Sequence, residues 1–154
     1  MNFPGAPLTY VRDVWQGILN EIKREDFRNA KRDTANRYGG AQEFGSGVRL
    51  TAVISPPQIA ADQNDYGPAG MATATVMRIS SDAARNVTGL LALSSGALLL
   101  LMNTGSFGIT LKNESASSSA ANRFAIGADV LLAAGRGALL WYDGVSSRWR
   151  LVQP

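Results

Sequence analysis

The chain has 154 residues, neither histidine nor cysteine, 45% hydrophobic residues and a formal net charge of +3 at pH 7. That length suits one compact domain with an appendage, and the apolar fraction suffices for a packed core. The missing side chains exclude disulfide staples, thiolate metal sites and every histidine-assisted nucleophile. The mild positive charge, scattered singly beyond the first forty residues, is unlike the concentrated basic face of a nucleic-acid binder.

The start, Met1-Asn2-Phe3-Pro4-Gly5-Ala6-Pro7, has neither the basic leader nor the apolar run of a secretory signal, so none is expected. From Tyr10 to Ile22 the residues Val11, Val14, Trp15, Ile18, Leu19 and Ile22 follow the three-and-four spacing of an amphipathic helix. Thr9 is its candidate N-cap, and Gly17 weakens it by about 1 kcal/mol relative to alanine. The chain then turns strongly polar, and seven basic and five acidic residues fall between Arg12 and Arg37 before Gly39-Gly40 ends the helical region.

Beyond Gly40 short apolar runs replace helical spacing. Strands are predicted at Val48–Ile54, Thr73–Ile79, Val87–Leu93, Ala97–Met102, Gly108–Lys112, Arg123–Ile126, Val130–Ala133, Ala138–Tyr142 and Arg148–Val152. Pro56-Pro57, Gly67-Pro68, Asn103-Thr104-Gly105, Gly135-Arg136-Gly137 and Asp143-Gly144 punctuate them. No internal repeat is legible. The apolar stretch Leu90–Met102 is interrupted by Ser94-Ser95-Gly96 and falls short of the ~20 residues a membrane span needs, so it reads as two buried strands. In the last strand Arg148 and Arg150 alternate with Trp149 and Leu151, giving one basic and one apolar face. The prediction is a mainly β protein: an attachment segment over residues 1–40, carrying the amphipathic helix, then a β-sandwich or barrel assembly domain over 41–154.

Chemistry-bearing residues are few. The carboxylates Asp62, Asp65, Asp82, Glu114, Asp129 and Asp143 would be the material of a two-carboxylate hydrolase. Asp62, Asp65, Asp82 and Asp143 sit in turn contexts, where an aspartate bonds nearby backbone N–H groups, and that is the better explanation. Asp62-Gln63-Asn64-Asp65 lacks the spacing of a calcium loop, and the glycine-rich turns lack the Lys-Ser/Thr of a phosphate loop. No catalytic residue, metal or cofactor is therefore expected. Two binding candidates remain. Val14, Trp15, Ile18 and Ile22 form a stripe that would cover one end of the sheet in the same subunit or dock on a partner, and its place before a complete-looking β-domain favours docking. Trp141, Tyr142 and Trp149 lie in one hairpin and would fill the core or a subunit interface, or else stack on a glycan.

Several ordered motifs together resemble a module of tailed-bacteriophage virion structural proteins. They are Pro56-Pro57-Gln58-Ile59 with Asn64-Asp65-Tyr66, Arg78-Ile79-Ser80-Ser81-Asp82 with Asn86-Val87-Thr88-Gly89-Leu90, Ile109 to Ser115 with Ala120 to Phe124, and Tyr142-Asp143-Gly144 with Ser147-Arg148-Trp149-Arg150. The resemblance covers about residues 54–152 and leaves residues 1–40 outside. It implies a β-sandwich or jelly-roll-like domain of a tail-fibre, head-fibre or decoration-like protein, a homotrimer without catalytic residues, located in the virion. Its expected partners are other copies of itself and tail, portal-proximal or capsid proteins, with no nucleic acid and no membrane. A capsid decoration protein and a receptor- or glycan-binding tip are the alternatives the resemblance leaves open.

Overall fold

Alternation of apolar and other side chains becomes strand wherever a neighbouring segment supplies the ladder partner. A computed structural model describes residues 15–20, 45 and 47–152. The chain divides into two units, Met1–Gly47 and Val48–Pro154. In the first unit residues 15–20 are helical, within the predicted amphipathic helix; the remainder of that helix and the charged run after it lie outside the described residues.

The second unit is mainly β. Its strands are β1 (Val53–Ile54), β2 (Val76–Ile79), β3 (Arg85–Val87), β4 (Leu98–Asn103), β5 (Ile109–Leu111), β6 (Val130–Leu132), β7 (Gly137–Asp143) and β8 (Arg148–Val152), with single 3-10 turns at Met71–Thr73 and Ala120–Asn122. They form two mixed sheets, a five-stranded one in the order β1-β2-β4-β7-β8 and a three-stranded one in the order β3-β5-β6.

The pairings reveal a repeat that the residue identities hide. Val53 lies beside Val76 and Val76 beside Leu100, all in parallel ladders. Arg85 lies beside Ile109, also in parallel. Between the sheets, single parallel bridges join Ile59 to Ser81, Gln63 to Val87 and Tyr66 to Leu90. Each turn of chain thus takes about 24 residues and is laid on the previous one. The chain then reverses. Strand β6 runs antiparallel to β5, β7 to β4 and β8 to β7, which finishes both sheets.

Inward residues of the two sheets meet in one core. Met77, Ile79, Leu99, Leu101, Leu140 and Trp149 come from the larger sheet, and Val87, Ile109, Leu111 and Leu132 from the smaller, joined by Leu90 and Phe124. Trp149 is the junction. Fully buried, it donates from Nε1 to the Leu90 carbonyl at 3.0 Å, and its ring meets Tyr142 edge-on at 5.2 Å between centroids. Its backbone N–H bonds the Arg123 carbonyl, and its carbonyl accepts from Ala125. Asn103 links the sheets in a second place. Its Nδ2 donates to the carbonyls of Phe107 (2.7 Å) and Leu132 (2.8 Å), while Oδ1 accepts from the Gly105 N–H.

Three of the predicted strands keep two or fewer of their residues in a named strand, each for a local reason. The Val53 N–H turns back to the Thr51 carbonyl, so only Val53–Ile54 of the first run enters the ladder. The second run bends at Thr88-Gly89, where a Cβ on Gly89 would come within 2.5 Å of the Asn122 carbonyl oxygen. At Arg123–Ile126 the Asn113 side chain accepts from the N–H groups of Ile126 and Gly127 and replaces a ladder, leaving Phe124 with single bridges to Asn113 and Trp149.

Replacing Trp149 removes a buried ring and the partner of the Leu90 carbonyl together. Trp149→Ala is expected to lower unfolding stability by about 3–5 kcal/mol, measured by urea titration followed by circular dichroism. Trp149→Phe retains most of the volume but orphans that carbonyl, and should lie between the two.

Candidate functional site

The outer faces of the two sheets differ in kind. On the smaller sheet the outward row is Asn86, Thr110 and Leu131, polar but for one leucine that lies over Gly108. On the larger sheet the register sets five aliphatic residues side by side, one per strand: Val53, Val76, Leu100, Leu139 and Val152. Because strands stack about 4.8 Å apart, this row is about 19 Å long and runs across the strands. Two shorter rows flank it, Leu98–Trp141–Arg150 on one side and Arg78–Met102–Gly137 on the other. Leu98 is 55% exposed and Trp141 39%. This face is the candidate functional site, an apolar strip with one arginine at a corner of each flank.

The hairpin aromatics separate across the sheet. Alternation along β7 turns Trp141 outward and Tyr142 inward, where Tyr142 donates from its hydroxyl to the Ala121 carbonyl at 3.1 Å. Tyr142 and Trp149 are buried in the core, so of the three only Trp141 is exposed on the surface. On the other candidate stripe, Trp15 and Ile18 stand three residues apart in the helical segment 15–20, while Val14 and Ile22 lie outside the described residues. Sequence reading named Trp141 but missed Leu98, Leu100 and Leu139. The available signal was the run Leu98-Leu99-Leu100-Leu101-Met102, apolar at consecutive positions as in a strand covered on both faces.

The carboxylates occupy corners. Asp62 accepts from the backbone N–H and side-chain amide of Asn86 (2.9 and 2.8 Å). Asp65, in the left-handed region at φ 48°, accepts from the Ser119 N–H and hydroxyl and from the Asn122 amide. Asp143 caps the β7–β8 loop through Val145 and Ser146 and also meets Arg150. Asp82 is held chiefly by Nε and Nη2 of Arg85, with the adjacent Ala83 backbone adding to it, whereas Asp62 and Asp65 bond groups of other turns rather than the nearby N–H groups expected. Asp129 takes Lys112 and the Asn113 N–H, and Glu114 takes Arg148. These bonds hold the carboxyls of Asp62, Asp65, Asp82, Asp129 and Asp143 below the usual aspartate value. The main donors are Asn86, Asn122, Arg85, Lys112 and Ser146 respectively. Among the described residues no group of three or more acidic side chains has metal-holding geometry. A small apolar hollow of about 190 Å³, lined by Gly67, Pro68, Met71 and Leu91–Leu93, lacks convergent polar groups.

Family models, curated proteins and solved structures contain no match to this chain. The geometry therefore carries the functional argument by itself.

The corner carboxylates set an acid limit on stability. A carboxyl whose folded-state pKa lies below its unfolded value stabilises the fold above the unfolded value, and this contribution disappears as pH falls through the folded one. The thermal midpoint should therefore stay level from pH 7 to about 5 and drop below 3.8, the ordinary aspartate value. Asp65→Asn, which tolerates the left-handed backbone, should unfold at lower temperature than the parent at pH 7. That gap should close in acid, as read by calorimetry across the pH series.

Proposed function

We propose that this chain is a non-enzymatic structural component of a tailed-phage virion, a small fibre-like appendage or adaptor. Its β-domain self-associates, as a homotrimer, and its N-terminal helix attaches the assembly to other virion proteins. In this reading the β-domain is a sandwich, two sheets on one core, laid down by parallel turns rather than by the antiparallel connections of a jelly roll. The observation that carries the proposal is the outer face of the larger sheet. A row of five aliphatic side chains flanked by Leu98, Trp141 and Met102 is the composition of a buried layer, yet the chain's own core lies on the opposite face. Covering it by another copy removes apolar area from water at roughly 25 cal/mol per Å². Engagement of the corner carboxylates in structural bonds supports the non-enzymatic part, and the stripe including Trp15 and Ile18 supports the attachment role.

One observation favours a receptor- or glycan-binding tip as the second reading. Trp141 is exposed with Arg150 opposite it on the neighbouring strand, a platform on which a sugar ring could lie.

Light scattering of the full chain tests self-association. The parent is expected at three times the chain mass, and the pair Leu100→Glu/Leu139→Glu at the single-chain mass with its β circular dichroism unchanged. Leu131→Glu, an equally drastic change on the other sheet, should leave the parent mass. A parent that runs as a single chain at micromolar concentration sinks the self-assembly reading, and binding of a host polysaccharide lost in Trp141→Ala would then establish the tip.

A further inference from the structure

The two flanks of the apolar face are complementary to each other, which fixes how copies pack on it. Strand β7 carries Trp141 on one flank and Gly137 on the other, with Leu139 of the central row midway between them. The tryptophan projects, whereas Gly137 has no side chain and the thioether of Met102 lies across it, where a Cβ would collide with the sulfur. Strand β4 repeats the asymmetry, with exposed Leu98 on the Trp141 flank and the flattened Met102 on the Gly137 flank. One edge of the strip bears two knobs and the other a low methionine-covered seat, at matching heights.

Resting on the self-association reading, we infer that the partner on this face is a second copy related by a rotation axis running along the aliphatic row. The Trp141–Leu98 edge of each copy seats on the Met102–Gly137 edge of the next. Rotation about that axis preserves height, so Trp141 of one copy meets the level of Gly137 of its neighbour and Leu98 meets Met102. Methionine suits this contact, because its flexible, polarizable thioether packs well against an aromatic ring. Each contact is head-to-tail, and the ring closes on itself. The charges agree. Arg78 is on β2 and Arg150 on β8, with β4 and β7 between them, so these like charges stay about 14 Å apart in height. The reversed arrangement, with the axis along the strands, would set the Leu98–Trp141 edge on itself, knob against knob, and the Met102–Gly137 edge on itself, seat against seat.

The chain has no cysteine, so introduced cysteines report without background. In one chain residues 102 and 141 are separated by four positions along the strands, about 13 Å, beyond a short bis-maleimide. Full-length Met102→Cys and Trp141→Cys chains, mixed after separate expression and reassembled, are expected to crosslink to each other and not to themselves. A single chain carrying both substitutions should give a ladder ending at the copy number found by light scattering. Because loss of Trp141 can itself release the copies, Leu98→Cys with Met102→Cys repeats the test at the level of β4 with the tryptophan in place. Self-crosslinking of Leu98→Cys alone, or an oligomeric parent with neither 98–102 nor 102–141 links, overturns the head-to-tail geometry while leaving self-association intact. A parent of single-chain mass overturns both.

Discussion

Parallel registration of successive turns is the constraint on which the rest of this structure depends. In a strand the side-chain period is two, so displacing β4 by one residue along β2 would carry Leu99 and Leu101 from the core to the outer face. Leu98, Leu100 and Met102 would move inward in exchange. The aliphatic row exists because each turn adds nearly the same number of residues, which returns an outward aliphatic position to the same place on β1, β2 and β4. The two antiparallel strands then extend the row, since Leu139 falls opposite Leu100 and Val152 opposite Leu139.

That registration is held mainly at the corners. Strands of three or four residues form too few ladder bonds to resist slippage alone, and the bridging bonds come from side chains far apart in sequence. The carboxylate of Asp62 clasps Asn86 in the turn above it. Asp65 reaches across to Ser119 and Asn122, while Ser118 meets both the Asp65 N–H and the Thr88 hydroxyl. Asn122 in turn accepts from the Ala92 N–H at 2.8 Å. The polar residues that sequence inspection weighs as catalytic or metal-binding material are thus the pins between turns. Their acidity follows from that employment, because a carboxylate accepting two or three hydrogen bonds is stabilised in its charged form.

Strand identity was legible where two signals coincided, and the last hairpin is the clearest case. Ala138–Tyr142 and Arg148–Val152 alternate cleanly around Asp143-Gly144, and β7 and β8 pair there, with Asp143 capping the loop. The repeat was illegible because ladder partners need share only alternation. Val76-Met77-Arg78-Ile79 lies under Leu100-Leu101-Met102-Asn103 with no identity between them. The functional face was half legible for the same reason. Trp141 stood out as an aromatic, but whether it or Trp149 turns outward depends on register, which the ladders pairing Trp141 with Leu98 and Tyr142 with Trp149 settle. The leucines of β4 went unnoticed because a strand covered by its own chain on both sides and one awaiting a second copy are written with the same residues.

The ends of the stack argue for association through the face rather than through the edges. A stack of parallel turns exposes an unpaired edge at its first turn, a template for further strands unless blunted. Between residues 48 and 152 the prolines are Pro56, Pro57 and Pro68, all in that first turn and none in the turns laid upon it. Proline lacks the N–H that an added strand would need, so the one turn without a partner below it is also the one least able to recruit one. Strand β1, at the same edge, is only two residues long. At the opposite end the Trp149 N–H and carbonyl are already bonded to Arg123 and Ala125, which occupies the outer edge of β8. A two-residue strand with prolines close after it at one end, and β8 bonded through Trp149 at the other, hinder ladder growth at both edges of the larger sheet. The broad apolar surface described for the domain is the strip from Val53 to Val152, and under the proposed self-association contact through it would join copies side by side rather than end to end.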